Sequence, residues 1–358
     1  MKAIAVTPGR PNAVRLIDAP KPVAASGEAL VRVLEVGVDG TDKELAAGLY
    51  GEAPEGDDYL IVGHESLGMV EETGPGVTSL NPGDLVVATV RRPDDCPNCL
   101  RGEYDMCLYG NYRERGIKGL HGFMAEYYAD EPRYTVSVPG ELRPVAVLLE
   151  PLSIVEKAIH QAFKIQERMF WDPRRALVLG AGTIGLLATF LLRARGLETY
   201  TLATRLKSSL KAILAEACGA VYVSAGEKPV QGLDREFGNL DIILEATGDS
   251  NIAFQAMGIL GTNGVLCLTG VSAGNRNLVV PVDALNMEMV LGNRVVFGTV
   301  NASRRHFEMA LEHMADLQAR WPGLLERLLT RRVPLCQWRQ GLDKSEDDVK
   351  VVIEMIGG

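Results

Sequence analysis

The stretch VGVDGTD, residues 36–42, sets Asp39 between two glycines and follows it with Thr41 and Asp42. Flanking glycines let a backbone bend and pass close to another group. Asp39 can cap that bend with its own carboxylate, or it can face inward as a ligand. GHE at 63–65 adds an imidazole and a carboxylate, His64 and Glu65, just ahead of a strand-like run. Glu150, before Pro151, stands where the character of the sequence changes. These groups are far apart along the chain, and spacing alone does not bring them together.

A second chemical signal is GAGTIG at 180–185. GxGxxG alone is weak, but here it follows an apolar run and opens a helical pattern, which is the context a dinucleotide requires. Gly180 suits the tight turn, Gly182 the approach of a pyrophosphate, and Gly185 close contact of helix with strand. Thr183 and Ile184 then lie at a helix N-terminus that favours phosphate. An NAD-selective site would carry an acid at the end of the next strand. LATRLKSS has none there, and Thr204, Arg205 and Lys207 occupy the place. Hydroxyl and guanidinium suit a 2′-phosphate, so the expected cofactor is NADP, with NAD left open. The alternative is that Arg205 and Lys207 only solvate a helix start.

Six cysteines in 358 residues are not a disulfide framework. Cys96, Cys99 and Cys107 lie close together, and in a reducing compartment such clustering reads first as metal binding. Cys218 and Cys267 fall in apolar segments and read as core. Cys336 has no recognisable context, and His160 and His306 fall on helical patterns with no chemistry assigned.

Two kinds of architecture must position these groups. The first ~135 residues read as short strands between turns: KAIAV, AVRLID, EALVRVLEV, ESLGMVEE, GDLVVATV and YTVSVP. EPLSIVEKAIHQAFKI then has helical apolar spacing. Beyond it ALVLG, ETYTLA, AVYVS, DIILEAT, GVLCLTG and RVVFGTV alternate with helical segments. Six strands in βαβ alternation point to a doubly wound parallel sheet. RRHFEMALEHMADLQARW follows as a helix, and KVVIEMI is a last strand without an obvious place.

A net charge of −9, from 37 basic and 46 acidic residues, disfavours nucleic-acid and anionic-membrane partners. The N-terminal apolar stretch is too short for a signal peptide, and no apolar run approaches a membrane span. A cytoplasmic protein is expected.

Taken in order, VGVDGTD, GHE, CPNC with Cys107, LLEPLS and GAGTIG resemble the zinc-dependent medium-chain dehydrogenase/reductase superfamily over nearly the whole chain. VRRP, ERGI, HGFMAEYY, EPLSIVEKAI and GTVNASRRHF are similar to its branch of archaeal-type NAD(P)-dependent glucose (aldose) dehydrogenases. The resemblance implies an α/β chain. A GroES-like β-barrel catalytic domain would take 1–155, a Rossmann domain with a doubly wound parallel six-stranded sheet 156–302, and a return to the catalytic domain 303–358. The active site would lie in the cleft. The family is commonly a homodimer or homotetramer joined through the Rossmann domains, with RVVFGTV as an edge strand.

Carried over residue by residue, the resemblance makes Asp39, His64 and Glu150 the ligands of a catalytic zinc. Most of the superfamily has cysteine where Asp39 stands, and part of this branch has aspartate. Such a zinc takes three protein ligands and keeps one open position. Glu65 would ligate directly or hold substrate as coordination changes. Thr41 matches the hydroxyl that relays the substrate proton, and Asp42 is expected to be structural. The cysteine cluster resembles a structural zinc lobe whose first cysteine would fall at Pro93, leaving Asp94 or Asp95 as fourth ligand. Its alternative is three reduced thiols without a metal.

Sugar hydroxyls would be held by Glu65, Glu114, Glu150 and Asn301. Relatives with asparagine at Val90, aspartate at Ile154 and histidine near Leu291 make the substrate match incomplete. The nicotinamide would lie against Thr247 and Gly248, then Thr269, Gly270 and Val271, then Thr299, Val300 and Asn301. The implied reaction oxidises an aldose at C1 to the lactone, with glucose first and galactose open. A polyol or simple alcohol dehydrogenase, a zinc-free reductase and a non-catalytic NADPH-binding protein are the alternatives.

Overall fold

The run ALVRVLEVGV folds as the strand Ala29–Val38, buried along nearly its whole length, in a computed structural model that describes residues 1–272, 274–343 and 345–355. Antiparallel neighbours flank it, Glu65–Thr73 on one side and Lys350–Glu354 on the other. The last strand therefore finds its place beside a strand from the start of the chain, and Ile356 of the expected KVVIEMI lies outside the described residues. Leu329–Pro334 extends the sheet in parallel beyond Lys350–Glu354. Leu85–Ala88 and Thr135–Ser137 extend it on the opposite flank. Tyr127–Asp130 also pairs with the central strand, giving seven strands. Val31, Val33, Val36, Val70, Val86, Phe123, Trp338, Val351 and Ile353 form the core beneath them.

Register brings Glu65 against the one glycine of the central strand. Gly37 pairs with Glu65 in one neighbouring strand and with Val352 in the other. A Cβ at Gly37 would stand 2.0 Å from Glu65 Oε2, so the missing side chain is the space that carboxylate occupies.

The chain divides into two units. The first comprises Met1–Ser153, Asn301–Ala315 and Leu329–Gly358, and the second Ile154–Val300 and Asp316–Leu328. The expected return segment 303–358 is thus split, with 316–328 in the second unit. There Arg320 Nη1 donates to Ala194 O at 3.0 Å, and Gln318 Nε2 donates to Glu326 Oε1 at 2.6 Å.

The second unit holds a six-stranded sheet in the order Val221–Ser224, Glu198–Ala203, Arg175–Leu179, Ile242–Glu245, Val265–Leu268, Val295–Gly298. Every pairing is parallel. The order reverses at Arg175–Leu179, which puts a switch point at the carboxyl end of that strand, before GAGTIG. DIILEAT and GVLCLTG stop short as strands, at Glu245 and Leu268. Glu245 Oε1 accepts the amides of Thr247 at 2.6 Å and Gly248 at 3.1 Å, and these bonds turn the chain out of the sheet.

Candidate metal centre and cofactor site

Asp39 ends the central strand and caps the helix Gly40–Ala46, a helix expected only as a turn. Its Oδ1 accepts the amide of Asp42 at 3.2 Å, and Asp42 Oδ2 accepts the amide of Asp39 at 3.1 Å, a reciprocal capping box. Asp42 Oδ1 also accepts the amide of Gly63 at 3.2 Å, which fixes the turn that presents His64. Asp39 Oδ2 is spared from the cap and lies 3.6 Å from His64 Nε2. The two possibilities raised for Asp39 are divided between its two oxygens.

His64 is the hinge of two overlapping donor groups. Ligand atoms of Asp39, Asp42 and His64 lie within 4.8 Å of one another, as do those of His64, Glu65 and Glu150. His64 is the member common to both, and Asp39 and Glu150 each come near it without falling in one such group among the described residues. Glu150 stands in the first turn of the helix Leu149–Gln166 and is 5% exposed. Glu65 is held by Lys350, whose Nζ donates to both carboxylate oxygens at 2.7 and 2.5 Å. Lys350 was not anticipated from the sequence. Its signal was a lysine opening a strand with an apolar middle, KVVIE.

The electrostatics are those of a site short of positive charge. Burial pushes Glu150 up to about 8, with the Glu65 and Asp39 charges adding to it. Asp42 is pushed up to about 7 by burial and then by Asp39. Burial alone would raise Asp39, but the His64 imidazole outweighs it and holds that carboxyl well below its usual range. His64 is the converse: burial opposes its charge, yet Asp39 and Glu150 lift it well above an ordinary histidine. Lys350 is likewise opposed by burial and raised by Glu65 and Asp39. His64 Nδ1 is buried and takes no hydrogen bond among the described residues. Crowded carboxylates and an imidazole with an orphaned nitrogen fit a divalent cation, and oxygen and nitrogen donors accept zinc.

Thr41 lies in the first turn of the helix Asp39 caps. Glu114 and Asn301, 187 residues apart, are joined by Asn301 Nδ2 donating to Glu114 Oε1 at 2.9 Å. Both are buried, and Asn301 adopts a left-handed backbone at φ 58°. Strain of that kind in a non-glycine residue concentrates at ligand sites. Val90 is buried and Leu291 exposed.

The cysteine cluster gathers Asp94, Cys96, Cys99 and Cys107 within 4.8 Å of one another. Asp94 supplies the oxygen, with Oδ2 3.0 Å from Cys107 Sγ, while Asp95 is exposed. Cys96 Sγ accepts the amides of Cys99 and Leu108, each at 3.4 Å, and Cys107 Sγ accepts that of Gly110 at 3.3 Å. Burial opposes thiolate formation at Cys96, but those amides outweigh it and lower its pKa. Cys96, which accepts two amides, is prepared to act as a thiolate, whereas burial pushes the Cys99 thiol up, and three sulfurs with one carboxylate oxygen are a donor set that fits a closed structural zinc.

In the second unit, Gly180 leaves its strand at φ 108°, and a Cβ there would stand 2.9 Å from Ala246 O. A Cβ on Gly185 would fall 2.0 Å from Gly180 O, so helix and turn touch. Gly182 starts the helix Thr183–Ala194 with no side chain capping it, and a helix N-terminus favours an anion. Thr204 and Lys207 are exposed and Arg205 half-buried, just past Glu198–Ala203. Lys207 Nζ lies 3.4 Å from Glu227.

At the carboxyl edge of the sheet, Thr247 and Gly248 interlock with Thr269, Gly270 and Val271. Thr269 Oγ1 donates to Glu245 O at 2.7 Å, and Ser272 Oγ donates to Gly248 O at 2.6 Å. Lys157 Nζ donates to Val300 O at 2.9 Å, and buried Thr299 Oγ1 takes no hydrogen bond among the described residues. Glu245 and Lys157, which order these loops, were also missed. One of the two acids in DIILEAT and one of the two lysines in the helix Leu149–Gln166 carry no signal of a partner. Cys218 and Cys267 are buried and Cys336 exposed.

Comparison with known proteins gives a consistent picture. A model of the alcohol dehydrogenase GroES-like domain matches residues 25–140, and one of the glucose dehydrogenase C-terminus matches residues 143–355. A glucose 1-dehydrogenase of Methanocella arvoryzae is 54% identical over 357 residues, covering 99% of both chains. A glucose 1-dehydrogenase of Thermoproteus tenax is 44% identical, again covering 99% of both. Among solved structures, Haloferax mediterranei glucose dehydrogenase in complex with NADP, Zn and gluconolactone superposes with a TM-score of 0.92 at 38% identity, covering all of both chains.

Proposed function

The chain belongs to the glucose dehydrogenase branch of the zinc-dependent medium-chain dehydrogenases, and from that premise we propose that it oxidises glucose at C1 to the aldonolactone, with NADP accepting the hydride. The observation that carries the assignment to particular residues is the meeting of Asp39, Glu65 and Glu150 at His64 in a buried pocket of charge.

Asp39, His64 and Glu150 hold the catalytic zinc. When bound, zinc acts as a Lewis acid that lowers the pKa of the C1 hydroxyl. Glu65, fixed by Lys350, stands beside the ligands as a carboxylate that ligates or meets substrate. Thr41 passes the substrate proton outward. Glu114 and Asn301, with Glu65 and Glu150, hold sugar hydroxyls, for which carboxylates and amides are the fitting partners. Thr183, Ile184 and Gly182 take the pyrophosphate, and Thr204, Arg205 and Lys207 the 2′-phosphate. The loops at Thr247, Thr269 and Thr299 receive the nicotinamide. Asp94, Cys96, Cys99 and Cys107 hold a structural zinc.

The protein acts as a homodimer or homotetramer in the cytoplasm. Support for self-association is the edge strand Val295–Gly298, and before it in the chain the helix Val282–Leu291, which buries none of its residues. No helix among the described residues is long and apolar enough to cross a membrane.

The test is zinc-dependent reduction of NADP with glucose, galactose, polyols and primary alcohols in parallel. Turnover with glucose well above polyols and alcohols supports the assignment, and the reverse order overturns it.

A further inference from the structure

Arg91 has no part in the roles assigned above, yet it is 4% exposed and bonded on every side. It stands directly opposite Glu114 in a short antiparallel pairing. Its Nε and Nη2 donate to Glu114 Oε1 at 3.0 and 2.9 Å. Asn301 Nδ2 donates to the same oxygen at 2.9 Å. Three N–H groups converge on Oε1, which fixes the carboxylate plane and leaves Oε2 outside these bonds.

The other edge of the guanidinium is tied to the cysteine lobe. Nη1 donates to Tyr104 O at 3.4 Å and to Asp105 O at 3.2 Å. Both belong to the turn Tyr104–Met106, which runs directly into Cys107. Tyr104 packs against Cys96 and Cys99, and its hydroxyl accepts the amide of Arg304, just beyond Asn301, at 2.6 Å. The face of the guanidinium lies 3.7 Å from the centroid of the Tyr112 ring. A planar fork clamped at both edges and on one face orients a carboxylate as a lysine cannot.

We propose that Arg91 is a positioning residue that carries the placement of the cysteine lobe to Glu114 and Asn301, so that the lobe acts on sugar affinity and not on stability alone. The proposal rests on reading Glu114 as a sugar-binding carboxylate.

Arg91→Lys, Glu114→Gln and the double variant are compared in zinc-loaded enzyme. The readouts are kcat, KM for glucose and for NADP, zinc content, and calorimetric binding of gluconolactone to the enzyme–NADP complex, where no turnover occurs. Arg91→Lys is expected to weaken gluconolactone and raise the glucose KM about tenfold or more, the scale of a charge-assisted contact. The NADP KM and zinc content stay unchanged. In the double variant Arg91→Lys adds little to Glu114→Gln, because one acts through the other.

Unchanged sugar binding in Arg91→Lys while Glu114→Gln is weakened, or fully additive effects, overturns the proposal alone. No effect of Glu114→Gln overturns the reading of Glu114, and the proposal with it. If Arg91→Lys does not fold, Tyr112→Leu loosens the same guanidinium while keeping its charge. A raised glucose KM with an unchanged NADP KM is then expected, and an unchanged glucose KM overturns the proposal.

Discussion

Lys350 and Glu65 form a buried ion pair across the central strand at the one place, Gly37, where that strand carries no side chain. Nζ lies 2.7 and 2.5 Å from the two carboxylate oxygens, with side chains 1% and 3% exposed. A Cβ on Gly37 would sit 2.0 Å from Glu65 Oε2. Three strands remote in sequence therefore fix one carboxylate beside His64.

Removing one partner of a buried pair leaves the other charge unpaired, at a cost of about 3–5 kcal/mol. Lys350→Met is expected to lose that order of stability in denaturant unfolding. Gly37→Ala should also destabilise, because the carboxylate that the new Cβ would meet is held by Lys350 and the Cβ would stand 3.1 Å from Glu65 Cβ as well. Wild-type stability in both variants contradicts the role given to the pair.

What the sequence revealed follows from range. GAGTIG, the apolar strands and the cysteine spacing are local patterns, and local patterns survive in one dimension. The choice at Asp39 was visible as a choice, but its resolution was not. One oxygen caps Asp42 and the other faces His64, a division that only coordinates define. Lys350 and Arg91 were missed because their partners lie in strands paired by tertiary register, as with Gly37 opposite Glu65 and Arg91 opposite Glu114. Asp94 and Asp95 were equivalent as letters, and the turn at Cys96 turns Asp94 inward.

Asp39→Asn separates the two duties. Asparagine caps a helix about as well as aspartate, whereas alanine costs roughly 0.5–2 kcal/mol. Asp39→Asn is expected to keep its thermal stability and lose catalytic zinc and turnover. Asp39→Ala is expected to lose zinc, turnover and some stability. Zinc content by mass spectrometry and thermal unfolding read both. Zinc retained in full by Asp39→Asn contradicts the ligand role.

Removing metal should make stability depend on pH with a defined sign. Asp42 and Glu150 are acids raised from 3.8 to about 7 and from 4.5 to about 8. His64 is raised as well. A raised folded pKa gives stability that is complete below the unfolded value and lost as pH climbs through the folded value. Asp42 and Glu150 therefore act in one direction between about pH 4 and about pH 8, and His64 acts in the same direction above its ordinary 6.5. Asp39, held low, gives way only below that window, and Lys350 above it. Chelated protein is expected to melt at progressively lower temperature as pH rises, while the gain from added zinc widens, because zinc replaces protons. A gain independent of pH contradicts this.

Arg205→Ala should weaken NADP about 10–100-fold, the loss of a charge-assisted contact to phosphate, and leave NAD nearly unchanged. Kinetics with both cofactors at saturating glucose measure it. Equal loss for both removes Arg205 from the 2′-phosphate site.

The most direct measurement is a zinc titration of chelator-stripped enzyme, following NADPH formation from glucose and metal bound per subunit, in wild type and Asp39→Asn. Wild-type turnover is expected to rise from near zero in step with filling of the Asp39–His64–Glu150 site, and Asp39→Asn is expected to remain inactive at the same zinc concentrations. Full turnover of the stripped enzyme, or wild-type turnover in Asp39→Asn with that site empty, contradicts zinc-dependent glucose oxidation at this site.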